Sequence, residues 1–194
     1  MKNLYSDFDE ESFVARVTDD QWEDKEPKDR MMHTSESLHI YLPMEYSESV
    51  QILMKTALKF SGFQYMFFPG FIELYGFDEY EQSIKALEIF TPHSNSEFAV
   101  RPFIIKYSHK MMEQMELWAE SENPHVRRLS SEGCRPRLPW AMVLPEFKKD
   151  PSPVIPILEK LKNDESEYVR RSVANNLSDI SKDNSHVEIS AANN

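Results

Sequence analysis

The chain has 194 residues, a formal net charge of −11 and a single cysteine, Cys134. One cysteine excludes an internal disulfide framework, so a reducing cytoplasm is the expected compartment. The negative total argues against indiscriminate binding to nucleic acid or to anionic lipid. No stretch is long and apolar enough to cross a bilayer and no signal pattern opens the sequence, so a membrane partner is not expected.

Helical periodicity dominates the sequence, and no long run alternates apolar and polar residues, which predicts an all-α protein. Residues 1–27 are an acidic segment, in which a short helix is predicted over 9–20. The aromatic stretch 61–77 is punctuated by glycines and a proline and is predicted to be irregular. Further helices are predicted over 28–42, from an N-cap at Ser47, from Asp78 to Pro92, over 96–107 and over 108–121.

The second half of the chain continues this pattern. A helix is predicted to begin at Pro124, because proline suits the first helical turn. Repeated prolines exclude one continuous helix over 134–153. Two more helices are predicted, over 154–164 and 165–183, and the latter carries a clear apolar stripe. Residues 184–194 have a weak pattern and are predicted to be a frayed tail.

The step Val-Arg-Arg occurs twice, at 126–128 and 169–171, 43 positions apart. Each copy begins the second helix of a predicted helix–turn–helix pair, and a spacing of about forty residues is typical of HEAT-like repeats. Stacked pairs bury their apolar stripes, so residues 28–183 are predicted to form a curved helical solenoid with a concave side. The second arginine of each step points away from the core, which places Arg128 and Arg171 on one side of the array.

A local basic surface contrasts with the acidic total. Between residues 123 and 149, six lysines and arginines face only two glutamates, which indicates a polyanionic partner. Arg135 and Arg137 lie there in a proline-stiffened loop that ends at Trp140. Such a loop loses little entropy on binding, arginine binds phosphate well, and an indole can stack. The alternative interpretation is a proline-rich corner in which Trp140 is buried by packing.

A polar row lies on the last predicted helix. Arg171, Asn175 and Asp179 are spaced four apart, with Asn176 beside them. Such a row either binds phosphates, with a carboxylate near the target, or is a solvated helix face with an arginine near an aspartate. Periodicity alone favours the solvated face.

A second acid–arginine pair, Glu97 and Arg101, lies near a predicted helix start. On spacing alone, the simplest interpretation is a carboxylate that is favoured by the helix dipole and paired with its own arginine. The six histidines show no metal-ligand spacing, and no phosphate-binding glycine loop is present, so neither a metal nor another cofactor is expected.

At these motifs the sequence resembles the AlkC/AlkD superfamily of DNA alkylation repair glycosylases, and its AlkC branch in particular. "SEFAVRPF", "HVRRLSSEGCRPRLPWA" and "SEYVRRSVANNLSDISKD" look like blocks of that family in the same order. The resemblance, which covers residues 28–183, implies a HEAT-like array whose concave side holds alkylated double-stranded DNA. It implies a cytoplasmic, nucleoid-associated monomer that hydrolyses the N-glycosidic bond of cationic alkylated purines, chiefly 3-methyladenine, without a cofactor.

The resemblance also implies roles for individual residues. Glu97 and Asp179 match the acidic positions at the lesion and are the implied catalytic residues. Because alkylation leaves the base positively charged, the base is already a good leaving group, and the carboxylates need only stabilise an oxocarbenium-like sugar and position water. The implied DNA-binding residues are Phe98, Arg101, Arg128, Arg135, Arg137, Trp140, Arg171, Asn175 and Asn176.

The family continues past Asp183 with further helices, so the chain is interpreted as a homologue shortened at its C-terminus. The rival hypothesis is a catalytically inactive HEAT-repeat module that binds DNA or a protein partner. The two hypotheses differ at Glu97 and Asp179, because a scaffold has no need to hold both acids in one groove.

Overall fold

The computed structural model describes residues 1–184, and within them all regular structure is helical, in eleven α-helices and two short 3-10 turns. The all-α prediction is therefore confirmed. None of the helices in this range combines the length and apolar character needed to cross a bilayer. The chain divides into two compact units, Met1–Ala99 and a second that begins at Val100. The predicted frayed tail, apart from Asn184, lies outside the described residues.

The first unit is built around an aromatic core. Helix α4 packs against α2 and α5, α3 packs against α5, and α1 packs against α2. The rings of Phe68 and Phe90 are buried with their centroids 5.7 Å apart, and Leu38, Leu53 and Phe71 complete the centre of the core. The helices are α1 Glu10–Val17, α2 Pro27–Tyr41, α3 Tyr46–Ala57, α4 Phe67–Tyr75 and α5 Tyr80–Ser94, with 3-10 turns at Trp22–Asp24 and Phe63–Tyr65.

Three local predictions in this unit are wrong. Ser47 is not an N-cap, because α3 already begins at Tyr46. The stretch 61–77 is largely helical, since α4 forms within it. Its Pro69 is the third residue of α4, and an N–H in the first turn of a helix has no intrahelical partner to lose. Pro92 lies inside α5 instead of ending it.

The second unit contains the predicted helix pairs α7/α8 and α10/α11. Helix α8 packs against α7, α10 and α11, so it joins the two pairs. Val126 and Val169, the valines of the repeated step, are both buried as predicted. The helices are α6 Val100–Lys106, α7 Ser108–Trp118, α8 Pro124–Gly133, α9 Pro145–Lys149, α10 Ile155–Leu161 and α11 Glu167–Asp183.

The repeated Val-Arg-Arg step has a structural cause in its first arginine. Arg127 Nη1 donates to the carbonyl oxygens six and five positions before it, at 2.9 Å each. Arg170 Nη1 donates to the carbonyl oxygens at the same two offsets, at 2.6 and 2.9 Å. In both copies the guanidinium ties the turn that precedes the helix to the helix itself, and so satisfies carbonyls that the turn leaves unpaired.

Arg127 also connects one pair to the next. Its Nε donates to Asp164 Oδ2 at 2.6 Å, and its Nη2 donates to Asp164 Oδ1 at 3.0 Å. Asp164 lies in the turn between α10 and α11, and its Oδ1 also accepts from the backbone N–H of Ser166 at 2.8 Å. A forked, charge-assisted pair therefore fixes α8 against the turn of the following repeat.

Candidate functional site

A network of ion pairs joins α8 to α11. Arg135 donates from Nη1 to Glu132 Oε1 at 2.7 Å and from Nε to Asp179 Oδ2 at 2.9 Å. Ser172 Oγ donates to Glu132 Oε2 at 2.6 Å, and Arg128 Nη2 lies 3.5 Å from Glu132 Oε1. Glu132 and Asp179 are only 5 % and 2 % exposed. The structure thus brings together three of the predicted site residues, with Glu132 as the residue that connects them.

Glu132 is the member of this network that the sequence patterns did not single out. Arg128 and Glu132 are spaced i, i+4 on α8, and Arg135 follows just past the end of that helix, which puts an acid between two arginines in the sequence. That spacing is the signal that could have found it. The hydrogen bonds to guanidinium and hydroxyl groups fix the orientation of both of its carboxylate oxygens.

Asp179 has two cationic neighbours with different exposure. Arg135, which is buried, holds Oδ2, while Lys182 Nζ lies 3.1 Å from Oδ1. The Lys182 side chain is 57 % exposed and comes from the last turn of α11. A cationic ligand could therefore reach Oδ1 of Asp179 by displacing an exposed ammonium group of the same charge.

The loop over residues 134–144, called here the Trp140 loop, connects α8 to α9. Trp140 is 71 % exposed, so the interpretation in which it is buried by packing is wrong. Its backbone has φ 64°, in the left-handed region that an L-residue with a large side chain rarely adopts. Met142 and Val143 beside it are also exposed. The loop thus presents an apolar surface at its tip.

Arg137, in the same loop, makes a forked ion pair with Asp183. Its Nε donates to Asp183 Oδ2 at 2.8 Å and its Nη2 donates to Oδ1 at 2.6 Å. The hydrogen bonds from Arg137 lower the pKa of the Asp183 carboxyl group. The pair is partly exposed, so a phosphate could replace the carboxylate on the same fork.

Arg101 lies in the interior, whereas a direct contact with DNA requires an exposed side chain. Its side chain is fully buried. It donates from Nε to Met142 O at 2.6 Å, and from Nη1 to Gly133 O at 2.9 Å and Arg135 O at 2.8 Å. Burial lowers the pKa of Arg101 to about 10, which leaves the group charged at neutral pH. In this structure Arg101 holds the Trp140 loop from inside and offers no fork to a phosphate.

The polar row on α11 divides between two environments. Arg171 is largely exposed and pairs with Glu167 at 2.7 Å, and Asn175 is exposed as well. Asn176 is fully buried, and its Nδ2 donates to Ser131 O at 2.7 Å across the α8–α11 contact. The first two residues are available to a ligand, whereas Asn176 supports the interior and could assist only indirectly.

In the first unit, Glu97 and Phe98 lie in the turn that follows α5, and Glu97 is 8 % exposed. Lys28 Nζ lies 5.7 Å from the centroid of the Phe98 ring. A cavity of about 20 Å³ adjoins the ring and is lined in part by Met31 and Glu73. Burial raises the pKa of Glu73. A space of this size is on the order of a single water and cannot hold a purine.

Two other chemistries find little support. Cys134 is buried, donates to Ser130 O at 3.0 Å, and has its pKa raised by burial to about 12, so its thiol is not a nucleophile in the folded protein. Within residues 1–184, no group of three or more histidines, cysteines and acids is arranged to hold a metal ion.

Comparisons with known proteins show what this chain is similar to. The family model of the HEAT repeat matches residues 154–183, which contain α10 and α11. A solved structure of the Pseudomonas fluorescens alkylpurine DNA glycosylase AlkC, bound to DNA containing an abasic site analogue, is similar with a TM-score of 0.89 and 39 % identity over 95 % of this chain. The resemblance to AlkC-type proteins is confirmed. With it, the predicted HEAT-like fold class is confirmed as well.

A second relative is closer in sequence. The uncharacterized protein YhaZ of Bacillus subtilis (strain 168) is 50 % identical over 187 residues, which are 96 % of this chain. The present chain spans about half of the length of each relative, 52 % in both cases. Each of these two likenesses therefore concerns about half of the relative's length.

Proposed function

We propose that the chain binds alkylated double-stranded DNA and hydrolyses the N-glycosidic bond of cationic alkylated purines of the 3-methyladenine class. The observation that carries this proposal is the likeness, at a TM-score of 0.89 and 39 % identity, to a DNA glycosylase solved on DNA. Two features of this chain add support. An acidic protein keeps a basic stretch at residues 123–149, and that stretch contains a loop with an exposed indole.

The reaction needs little from the protein beyond electrostatics and positioning. Alkylation places a positive charge on the base, so the electrons of the breaking C–N bond neutralise it and the base leaves without being protonated. Water adds to C1′ of the sugar and loses a proton, which leaves an abasic site. Glu97 and Asp179 would stabilise the positive charge that develops on the sugar, because carboxylates fixed in a low-dielectric site stabilise such charge better than water does.

The proposed DNA contacts follow the exposure of each side chain. Trp140 and Arg137 in the loop, and Arg171 and Asn175 on α11, are exposed and can reach backbone or bases. Arg128 and Phe98 are half-buried, so only part of each side chain can contact DNA. The buried residues Arg101, Arg135 and Asn176 would not contact DNA themselves, and they hold the Trp140 loop and α11 in place through hydrogen bonds.

A second candidate function is a HEAT-repeat module that binds DNA or a protein without catalysis. One observation favours it: Asp179 is only 2 % exposed and already interacts with two cations, Arg135 and Lys182. A carboxylate in that position can be purely structural, because a buried ion-pair network can serve to fix the packing of two helices.

The two functions are distinguished by release of free base from duplex DNA treated with a methylating agent. We expect 3-methyladenine release under single-turnover conditions, and we expect Glu97→Gln and Asp179→Asn to slow it by about a hundredfold or more. Glu146→Gln is the matched control, since this exposed acid pairs with Lys149, and it should leave the rate unchanged.

Each alternative result has a defined meaning. Wild-type rates in both variants would remove the catalytic assignment. Absence of release together with salt-dependent DNA binding would favour the non-catalytic module. If the three arginines that remain accessible, Arg128, Arg137 and Arg171, meet phosphates, the logarithm of the affinity should fall with the logarithm of salt concentration at a slope of roughly −3. A protein-binding scaffold would show a much smaller slope with DNA.

A further inference from the structure

Arg101 makes three hydrogen bonds, and all three go to the backbone at the ends of the Trp140 loop. Gly133 and Arg135 lie where the chain leaves α8, and Met142 lies where it returns toward α9. The donor–acceptor distances are 2.9, 2.8 and 2.6 Å in that order. One rigid guanidinium therefore joins the two ends of the loop, which are distant in sequence but meet at this side chain.

Burying the charged side chain of Arg101 costs desolvation free energy, which a residue that only filled space would not require. Its side chain is fully buried, and the acceptors of its hydrogen bonds are uncharged carbonyl groups. Within residues 1–184, its Nη2 has no hydrogen-bond partner at all. An apolar side chain of similar length would fill the same volume without the desolvation of a cation. The guanidinium is explained by its geometry, since only arginine offers several donors in a fixed plane.

The loop that Arg101 closes is held in an unusual conformation. Trp140 has φ 64°, and its side chain is 71 % exposed. A non-glycine residue stays in that region only where its surroundings hold it. Within the loop, Leu144 N–H donates to Pro136 O at 3.2 Å and Ala141 N–H donates to Leu138 O at 3.3 Å. The guanidinium of Arg101 at the base adds a constraint to these bonds and to the ion pairs that Arg135 and Arg137 make with residues outside the loop.

We propose that Arg101 is a positioning residue that fixes the Trp140 loop, so that Trp140 and Arg137 meet DNA in one preformed geometry. The part of this inference that concerns DNA rests on the proposed function. An indole presented on a stiff loop can stack on a base or an exposed base step without first being ordered, and preorganisation of this kind raises affinity by lowering the entropy lost on binding.

The test compares Arg101→Lys and Arg101→Met with the wild-type protein. All are labelled with 5-fluorotryptophan and observed by fluorine NMR, with the Trp140 resonance assigned by loss of signal in Trp140→Phe. In both Arg101 variants we expect the chemical shift of the Trp140 resonance to move toward that of a mobile, solvent-averaged indole. Affinity for a duplex containing an abasic-site analogue should fall by about tenfold in Arg101→Met and less in Arg101→Lys, which keeps one donor group and the charge.

Arg170→Lys is the matched control, because Arg170 also donates to two carbonyl oxygens in the same unit, but in a turn away from the Trp140 loop. It should leave the Trp140 resonance and the DNA affinity unchanged. Pro139→Gly is a second variant that loosens the loop and leaves Arg101 intact, since Pro139 is exposed. It should reproduce both effects of the Arg101 variants.

Several outcomes would overturn the proposal. A native Trp140 resonance and native affinity in Arg101→Lys and Arg101→Met would show that the loop holds itself. Loss of folding in Arg101→Lys would make Arg101 a core residue with no separate positioning role, and native behaviour of Pro139→Gly would show that loop stiffness does not matter for DNA. If the wild-type protein does not bind DNA, the proposed function fails, while the fluorine spectra still decide whether Arg101 orders the loop.

Discussion

Asp164→Asn removes the carboxylate through which one helix pair is tied to the next. In the wild-type protein both oxygens of Asp164 accept from Arg127, at 2.6 and 3.0 Å, and the two side chains are only 6 % and 10 % exposed. Breaking one side of a buried pair costs roughly 3–5 kcal/mol. Arg127 keeps its two backbone carbonyls in the variant. We therefore expect a loss of about 2–3 kcal/mol in the free energy of unfolding.

Urea denaturation followed by circular dichroism measures this loss. The midpoint should fall without a change in slope, because the same surface is exposed on unfolding. Glu165→Gln is the control, since Glu165 lies 3.4 Å from the same guanidinium but is 89 % exposed. Its midpoint should match the wild type. An Asp164→Asn midpoint equal to that of Glu165→Gln would refute the argument that the buried fork stabilises the second unit.

The same pair predicts a pH dependence. The hydrogen bond from Arg127 lowers the pKa of Asp164 below its ordinary value of 3.8. A carboxyl group whose pKa is lowered by folding stabilises the folded state above its unfolded pKa, and this contribution is lost as the pH falls through the folded pKa. Below about pH 4 the wild-type protein should therefore lose stability more steeply than Asp164→Asn. Parallel curves for the two proteins would contradict this.

Two further outcomes are expected. Cys134 should resist iodoacetamide at about pH 8 in the native protein and react readily in urea, because burial blocks access and raises the pKa of its thiol to about 12; fast native labelling would show that the α8 region opens easily. Arg137→Ala should weaken duplex binding with little change in Tm, and Asp183→Asn, which frees the Arg137 fork, should strengthen it. A fall in Tm in the first variant, or weaker binding in the second, would favour a structural role for this pair.

The helix with the strongest periodic pattern in the sequence was predicted most accurately. Helix α11 runs from Glu167 to Asp183, within two residues of the predicted 165–183. Its residues Val169, Val173 and Ile180 are buried as the stripe required. A long amphipathic pattern determines a helix because the same residues supply both the local period and the core contact.

Prolines are ambiguous signals for a definable reason: Pro69 contributed to the wrong prediction of an irregular stretch over 61–77, whereas a helix over 154–164 was predicted in spite of Pro156. Pro69 and Pro102 are the third residues of α4 and α6, and Pro156 is the second residue of α10. A proline in the first turn starts a helix as readily as a proline in the interior breaks one. Sequence alone shows the proline but not where the turn begins, because that depends on which apolar residues find a core.

The polar residues of α11 show a second limit. Ser172, Asn176 and Asp179 lie on one face, and sequence periodicity cannot tell a buried polar face from a solvated one. All three are buried because α8 offers them complementary groups, including Glu132 and the Ser131 carbonyl. Such matching is a property of two helices together, because most buried polar groups find their partners on the facing helix.

The repeated Val-Arg-Arg step separates what a local sequence determines from what it does not. Its first arginine binds carbonyls of its own preceding turn in both copies, whereas the fork from Arg127 to Asp164 is an additional contact made to the next repeat. Its second arginine differs: Arg128 is 15 % exposed, lies near Glu132 and stacks 4.7 Å from the ring centre of Tyr168, whereas Arg171 is 76 % exposed. Tyr168 comes from the following repeat, so the environment of Arg128 is set by a neighbour that the step itself does not contain. The part of the candidate site made within a single repeat is therefore readable from sequence, and the part made between repeats becomes readable only after the helices have been packed.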